Sequence, residues 1–185
     1  MAHHRFYRDE TERRKWQDPN VILRSIGPRS GQTFVDVGCG YGFFAIPAAK
    51  IVGRNGKVFA VDSDPDAIAS LKEESGRLSL KNIQTMVGSA EETVFCEACA
   101  DVVFFGIVLH DFRDIAQVLQ NARRMLGPKG LLVDLDWRKQ QMDFGPPFDI
   151  RFSEDQAKGL IEDVGLRVKM VREEGSYFYL IIAGF

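Results

Sequence analysis

The sequence lacks long hydrophobic runs, contains few cysteines and carries almost no excess charge. No apolar stretch approaches the ~18 residues of a membrane-spanning helix, and the residues after Met1 are too polar for a secretory signal. The formal net charge of −2 disfavours nucleic acid and anionic membranes as partners. Three cysteines in 185 residues favour a reducing cytoplasm over a disulfide framework. We therefore expect a cytoplasmic protein that acts on a small molecule, and its oligomeric state stays open.

The stretch 33–46 predicts a buried strand, a glycine turn and the start of a helix. Residues 33–37 are mostly apolar and β-branched with one acid, Asp36, which is typical of a parallel strand covered on both faces. Glycines follow at alternate positions: Gly38, Gly40 and Gly42. Glycine accepts a positive φ and lets a ligand approach the backbone closely, and the helix expected from Phe43 would direct free N–H groups at that ligand. The pattern predicts a binding site.

The spacing of the glycines separates this turn from two other nucleotide-binding turns. In the dinucleotide fingerprint G-x-G-x-x-G the third glycine would stand at Phe43. A P-loop would require Gly-Lys-Ser/Thr after the turn, and the sequence has none there. A glycine turn without any ligand remains an alternative.

Strand and helix patterns alternate along the chain and then end in two strands. Predicted strands cover 33–37, 57–62, 83–87, 101–105, 131–135, 166–171 and 177–183. Predicted helices cover 20–26, 43–52, a stretch from Pro65, 115–126 and 154–164, and we expect Pro47 to distort the second of these. The last connection is too short for a crossover helix, so the final pair is antiparallel. The pattern predicts a doubly wound α/β fold, a three-layer sandwich around a mostly parallel seven-stranded sheet.

Asp62 ends the second predicted strand, about twenty residues beyond the glycine turn, where an acid accepts hydrogen bonds from ribose hydroxyls. An acid in this place could instead cap the following helix, but Asp64 before Pro65 suits that role better. Asp62 therefore indicates a ligand that contains adenosine.

Four segments in this order resemble the class I S-adenosylmethionine (SAM)-dependent methyltransferases. They are Asp-x-Gly-x-Gly-x-Gly at 36–42, the acid Asp62, Gly88-Ser89-Ala90-Glu91, and 101–111 with Val108-Leu109-His110-Asp111. The last is similar to the type 11 methyltransferases and the ubiquinone and menaquinone methyltransferases. The resemblance runs from about residue 31 to residue 130 and implies a Rossmann-like fold, SAM as cofactor and methyl transfer as the activity.

By this resemblance, residues after four neighbouring strands contact the cofactor. The implied set is Asp36, Gly38, Cys39, Gly40, Tyr41, Gly42, Asp62, Ser63, Ser89, Ala90, Gly106 and Ile107. Ser89 stands where the family commonly has an aspartate that accepts from the adenine amine, so the adenine contact departs from the family pattern.

His110 and Asp111 are the candidate catalytic residues, because they follow the fourth strand at the mouth of the site. His110 could contact the acceptor or act as a base, or it could support a neighbouring residue. Tyr7, Trp16 and Asp136 are candidates for the acceptor side. The segment that carries Tyr7 and Trp16 is either a lid over the ligand or a frayed chain end.

We expect one domain over residues 1–185, with an N-terminal lid or helix in 1–30. Residues 31–136 would bind the cofactor, and 137–185 would supply an acceptor-side loop and the terminal hairpin. Cys96-x-x-Cys99 could form half of a zinc site, but two buried small residues are the preferred interpretation and no metal is expected. Two rival functions remain, a non-catalytic SAM-binding protein and a nicotinamide-dependent oxidoreductase.

Overall fold

The computed structural model describes residues 13, 14 and 16–185. Within this range, the strands are β1 (Thr33–Val37), β2 (Lys57–Asp62), β3 (Ile83–Val87), β4 (Ala100–Gly106), β5 (Leu126–Trp137), β6 (Arg167–Glu174) and β7 (Phe178–Gly184). The helices are α1 (Pro19–Ile26), α2 (Ala45–Val52), α3 (Pro65–Arg77), α4 (Ile115–Met125) and α5 (Glu154–Asp163), with short 3₁₀ turns at Leu109–Asp111 and Phe148–Ile150.

The strands form one seven-stranded sheet in the order β3-β2-β1-β4-β5-β7-β6. Strands β1 to β5 are parallel, whereas β7 runs antiparallel to both β5 and β6. The predicted α/β fold with its terminal antiparallel hairpin is confirmed. Because β1 pairs with β2 on one side and β4 on the other, the strand order reverses between β1 and β4, and a crevice opens at their carboxyl ends.

Helices cover both faces of the sheet and create two cores. Phe34 and Phe104 belong to the core under α1, α2 and α3, and Phe105 and Tyr179 belong to the core under α4 and α5. All four side chains are fully buried. Burying a large side chain of this kind contributes roughly 1.5–3 kcal/mol, so these cores hold the strand ends in place for the site above them.

Several helix ends form as their sequences predict. The Asp18 carboxylate accepts from the Asn20 N–H at 2.8 Å before Pro19, and Gly27 ends α1 in the left-handed conformation. A capping box joins Ser153 and Gln156 at the start of α5.

Helix α2 begins at Ala45 rather than at Phe43, and the expected distortion at Pro47 is wrong. Pro47 is the third residue of this helix. The first N–H groups of a helix have no intrahelical partner, so a proline in the first turn removes no hydrogen bond. Residues 40–44 form turns instead, which lengthens the loop over the glycines.

The fifth strand begins at Leu126, earlier than predicted. Leu126 pairs with Ala100 and Leu131 pairs with Val102, so Gly127 and the residues after it bulge out of the ladder. This bulge accommodates Gly-Pro without ending the strand.

Cys96 and Cys99 form a disulfide with their Cα atoms 5.9 Å apart, so the prediction of two buried cysteines outside a disulfide is wrong. Both are partly exposed, and Ala98 between them has a φ of 50°, which turns the chain back. Cys39 is free and buried.

No helix of the described residues is long and apolar enough to cross a membrane. In the same part of the chain, no three or more His, Cys, Asp or Glu side chains gather in a way that could hold a metal ion.

Candidate functional site

The glycine turn lies at the carboxyl end of β1, and its glycines serve different purposes. Gly38, Gly40 and Gly42 have φ values of 72°, 51° and 91°, which favour glycine. A Cβ on Gly38 would lie 2.5 Å from Val108 Cγ2, and one on Gly42 would collide with Leu71. For Gly40, no described residue other than its chain neighbours has an atom within 4 Å of such a Cβ. The two outer glycines therefore permit packing, whereas the described part of the chain leaves the space over Gly40 open.

Asp62 connects the end of β2 to this turn. Its Oδ2 accepts from the Gly40 N–H at 2.7 Å and its Oδ1 accepts from the Asp64 N–H at 2.9 Å. The N–H groups of Gly38 and Cys39 donate to Val61 O at 2.9 and 3.0 Å. Each carboxylate oxygen of Asp62 keeps a second lone pair, so Asp62 can still accept from a ligand hydroxyl.

Asp36 is almost fully buried, with 1% exposure, beside the turn. Its Oδ2 has no hydrogen-bond partner among the described residues. Burial and the nearby charge of Asp62 raise the pKa of Asp36 to about 7, against the opposing effect of Arg13. A buried acid with an unpartnered oxygen is a suitable partner for a ligand cation.

Arg13 is a residue that sequence reasoning missed. Its guanidinium lies 3.9 Å from the Phe43 ring centroid, and its Nε donates to Gln17 Oε1 at 2.7 Å. A single arginine in a charge-dense segment carries no signal in the sequence for this placement.

Ser89 and Ala90 lie in the loop after β3, and side-chain hydrogen bonds stabilise this loop. The Ser89 hydroxyl donates to Glu91 Oε2 at 2.6 Å, and the Asn121 amide donates to the carbonyls of Ala90 and Glu91. Partial burial raises the pKa of Glu91. Hydrogen bonds from Ser89 and from backbone groups outweigh this effect and hold that pKa below its usual value. Sequence reasoning had not assigned a role to Glu91, which places a carboxylate beside Ser89.

Gly106 ends β4 and Ile107 follows it, on the other side of the crevice. A Cβ on Gly106 would lie 2.7 Å from Phe104 Cε1. Ile107 has a φ of 65°, rare for a β-branched residue, while its N–H donates to Leu135 O at 2.7 Å. Backbone strain of roughly 1–3 kcal/mol at such a residue is a frequent feature of ligand sites.

His110 and Asp136 form a buried pair. The Nδ1 atom of His110 lies 2.8 and 2.9 Å from the two carboxylate oxygens of Asp136, and each side chain is 2% exposed. Asp136 Oδ1 also accepts from the Trp137 N–H at 2.7 Å. Burial lowers the pKa of His110, but the charge and hydrogen bond of Asp136 outweigh it and raise the pKa overall. Asp111 Oδ1 lies 3.6 Å from Nε2 and its side chain is 56% exposed.

The remaining described residues that the sequence predicted for the site do not contact the pair of His110 and Asp136. Trp16 packs in an aromatic cluster, 5.8 Å from Trp137 and 5.7 Å from Phe178 between ring centroids, on the opposite face of β5 from Asp136. Ser63 is exposed, Tyr41 and Cys39 lie in the turn, and Cys39 is buried with its thiol pKa raised by that burial. Tyr7 lies outside the described residues.

Known proteins resemble this arrangement in sequence and in fold. A family model described as a methyltransferase domain matches residues 28–165. A demethylmenaquinone methyltransferase from Staphylococcus aureus (strain MRSA252) is 30% identical over 115 residues, which are 62% of this chain and 47% of the relative. The chain thus spans about half the length of the curated relatives it matches.

Solved structures align over nearly the whole chain. A SAM-dependent methyltransferase from Aquifex aeolicus has a TM-score of 0.87 at 30% identity and covers 92% of this chain and 91% of its own. A TehB-like SAM-dependent methyltransferase from Corynebacterium glutamicum ATCC 13032 Kitasato, at 21% identity, shares the fold with a TM-score of 0.73 and covers 99% and 98% of the two chains.

Proposed function

This chain belongs to the methyltransferase domain family, within the class I SAM-dependent methyltransferases, and we propose that it transfers a methyl group from SAM to a small-molecule acceptor. SAM is the cofactor of this family, and S-adenosylhomocysteine would be the product. The observation that carries the proposal is the space over Gly40 that the described residues leave open. Asp62 flanks this space, as does the Asp36 oxygen that has no hydrogen-bond partner among the described residues.

The residues around this space fit the cofactor group by group. Asp36 would hold the ammonium of the methionyl part, since a buried carboxyl with a free oxygen needs a cation. Asp62 would accept from the ribose hydroxyls, and Ser89 and Ala90, braced by Glu91, would border the adenine. The others that we assign to cofactor contact are Gly38, Cys39, Gly40, Tyr41, Gly42, Ser63, Gly106 and Ile107.

Bound SAM supplies a methyl group already activated by a positively charged sulfur. The protein therefore mainly has to align the acceptor with that methyl group and to exclude water. His110 and Asp111 lie in the 3₁₀ turn after β4, and we assign them to the acceptor side.

We propose a small molecule as the acceptor because the chain has no surplus of positive charge and because the curated relatives are named for demethylmenaquinone. We also propose that residues 31–136 bind the cofactor and that the segments on either side shape the acceptor site within one domain. A cytoplasmic location fits a small metabolite as acceptor.

Calorimetric titration of SAM and S-adenosylhomocysteine tests the cofactor assignment. Asp62→Ala should weaken binding by roughly 1.5–3 kcal/mol, about 10- to 150-fold, as expected for hydrogen bonds to a charged group. Glu162→Gln on the exposed side of α5 is the control. Absence of SAM binding by the folded native protein would refute the proposal.

Labelled SAM then tests the acceptor class. Label should enter small metabolites of a cell extract. Label in RNA or protein fractions alone would contradict a small-molecule acceptor, and binding without any transfer would favour a non-catalytic SAM-binding protein.

A further inference from the structure

His110 is held so that one of its ring nitrogens is occupied and the other is not. Nδ1 contacts both oxygens of Asp136. Nε2 makes no hydrogen bond with a described residue, and Asp111 Oδ1 at 3.6 Å is too distant for one. Since Asp136 as a carboxylate can only accept, it holds the hydrogen of neutral His110 on Nδ1. Nε2 is then left with a lone pair that points away from Asp136.

A second buried acid stands behind this pair. Asp134 precedes Asp136 by two residues on β5, so both side chains lie on one face of the sheet, and Tyr179 lies opposite Asp136 in the β5–β7 register. Burial and the charge of Asp136 raise the pKa of Asp134 well above its usual range, although the Tyr179 hydroxyl opposes this. Neither oxygen of Asp134 makes a hydrogen bond of good geometry with a described residue. Asp134 therefore lies beside Asp136 on the same buried face, where burial and the neighbouring carboxyl disfavour its ionised form.

Structural need does not account for the pair of His110 and Asp136. Around them the sheet face carries apolar side chains such as Phe105, Leu132 and Ile181. An ion pair buried among such residues is often no more stable than apolar side chains of the same volume, because both groups lose their hydration. The arrangement instead matches a base oriented by a carboxylate.

We propose that His110 is a general base positioned by Asp136, and that the acceptor is a protic nucleophile, such as a phenol, an enol or a thiol, which must lose a proton on methylation. This inference rests on the proposed function of the site. The acceptor's lone pair forms the bond to the methyl carbon as the carbon–sulfur bond breaks, with that electron pair remaining on sulfur. The proton of the acceptor passes to Nε2, and Asp136 stabilises the imidazolium until solvent removes the proton.

Charged groups on the neighbouring segments tune this base. Burial lowers the pKa of His110, Asp136 and Asp111 raise it, and Arg151, from the segment after the second 3₁₀ turn, lowers it. The net direction is upward, so the free base forms only as the pH rises through this raised pKa. Methyl transfer should therefore increase with pH on its acid limb.

Asp136→Asn tests the pairing without an acceptor. In the native protein, at a pH above the raised pKa of His110, ¹⁵N NMR of His110, assigned by comparison with His110→Gln, should show the neutral ring with its hydrogen on Nδ1. In Asp136→Asn the His110 pKa should fall, because the carboxylate that raises it is gone, and the preference for Nδ1–H should be lost. Hydrogen on Nε2 of the native protein would overturn the proposal.

A panel of acceptors with methyl-labelled SAM tests the substrate class. Phenols and thiols should accept the label, and tertiary amines and thioethers, which have no proton to lose, should not. Asp136→Asn should lower the rate by about 10²–10⁴-fold at unchanged SAM affinity, whereas Asp163→Asn on exposed α5 should match the native rate. Equal transfer to tertiary amines, or a native rate in Asp136→Asn, would overturn the inference. Failure of SAM to bind would instead refute the methyltransferase function, since the NMR result does not depend on the cofactor.

Discussion

The buried carboxyl of Asp36 carries a stability cost that a bound cation would relieve. A carboxyl whose pKa rises from 3.8 to about 7 on folding lowers stability progressively between pH 4 and pH 7, because the unfolded chain releases its proton first. Above pH 7 the cost is constant at about 4 kcal/mol, from ~1.4 kcal/mol per pKa unit. A cation bound beside Asp36 in the folded protein would offset this cost, because it would stabilise the buried carboxylate.

Asp36→Asn should raise the free energy of unfolding by about 2–4 kcal/mol at pH 8 and change it little at pH 4, because the amide has no charge to desolvate. Urea denaturation at both pH values measures this, with exposed Glu162→Gln for comparison. The same variant should lose SAM affinity at pH 8. A destabilised variant at pH 8 would show that Asp36 is paired in a way that stabilises the ligand-free protein.

In native protein, SAM affinity should fall about tenfold per pH unit below pH 7, since the ammonium must displace a proton from Asp36. Titration calorimetry at pH 5.5, 6.5 and 8 follows this dependence. A SAM affinity that stays constant over this pH range would show that Asp36 does not bind the ammonium group.

Gly40 and Gly31 form a matched pair for testing the turn. Both have a positive φ, 51° and 86°, and at neither position does a described residue other than the chain neighbours have an atom within 4 Å of an added Cβ. Gly40→Ala and Gly31→Ala should each cost roughly 1 kcal/mol of backbone strain, but only the former places a methyl group where we propose that the cofactor binds. SAM binding should be lost in Gly40→Ala and kept in Gly31→Ala, as measured by calorimetry. Equal affinities would mean that the cofactor does not lie over Gly40.

At the scale of elements, α5 depends on its capping box. The Gln156 N–H donates to Ser153 Oγ at 3.2 Å, and the Ser153 N–H donates to Gln156 Oε1 at 3.0 Å. Ser153→Ala should lower the free energy of unfolding by about 1 kcal/mol, as an N-cap loss does, whereas exposed Ser176→Ala should leave it within about 0.5 kcal/mol. Chemical denaturation compares the two, and similar values would show that the cap contributes nothing.

The strand ends explain why so many distant residues meet in one place. Strands β1, β2 and β4 are parallel neighbours, so the loops after them emerge at the same edge. Gly40 and Asp62 are joined across this edge although 22 residues separate them. The predicted acids and glycines converge because a parallel sheet carries every carboxyl end to one side.

At the scale of the whole molecule, the thiol count tests the disulfide. Three cysteines, two of them in the disulfide, leave Cys39 as the one free thiol. Denatured protein purified without reductant should therefore react with one equivalent of a thiol reagent, and reduced protein with three. Three equivalents before reduction would show that Cys96 and Cys99 are thiols in the purified protein.

The sequence by itself determined the order of strands and helices, the glycine turn, the acid at the end of β2 and the helix caps. These features depend on periodicity, on backbone conformation and on contacts between residues close in the chain, all of which are visible in one dimension. The prediction of a helix distorted at Pro47 was wrong because the sequence placed the start of that helix two residues too early. In the structure Pro47 lies in the first turn of the helix.

Only the tertiary structure decided which of these residues share a site. His110 and Asp136, 26 residues apart, meet because β4 and β5 are neighbours, so the 3₁₀ turn that follows β4 lies beside the end of β5. Trp16 and Asp136, both predicted on the acceptor side, lie on opposite faces of β5. The unpartnered oxygen of Asp36 and the position of Arg13 are likewise consequences of packing. Burial and pairing depend on which elements become neighbours in space, and no local pattern encodes that.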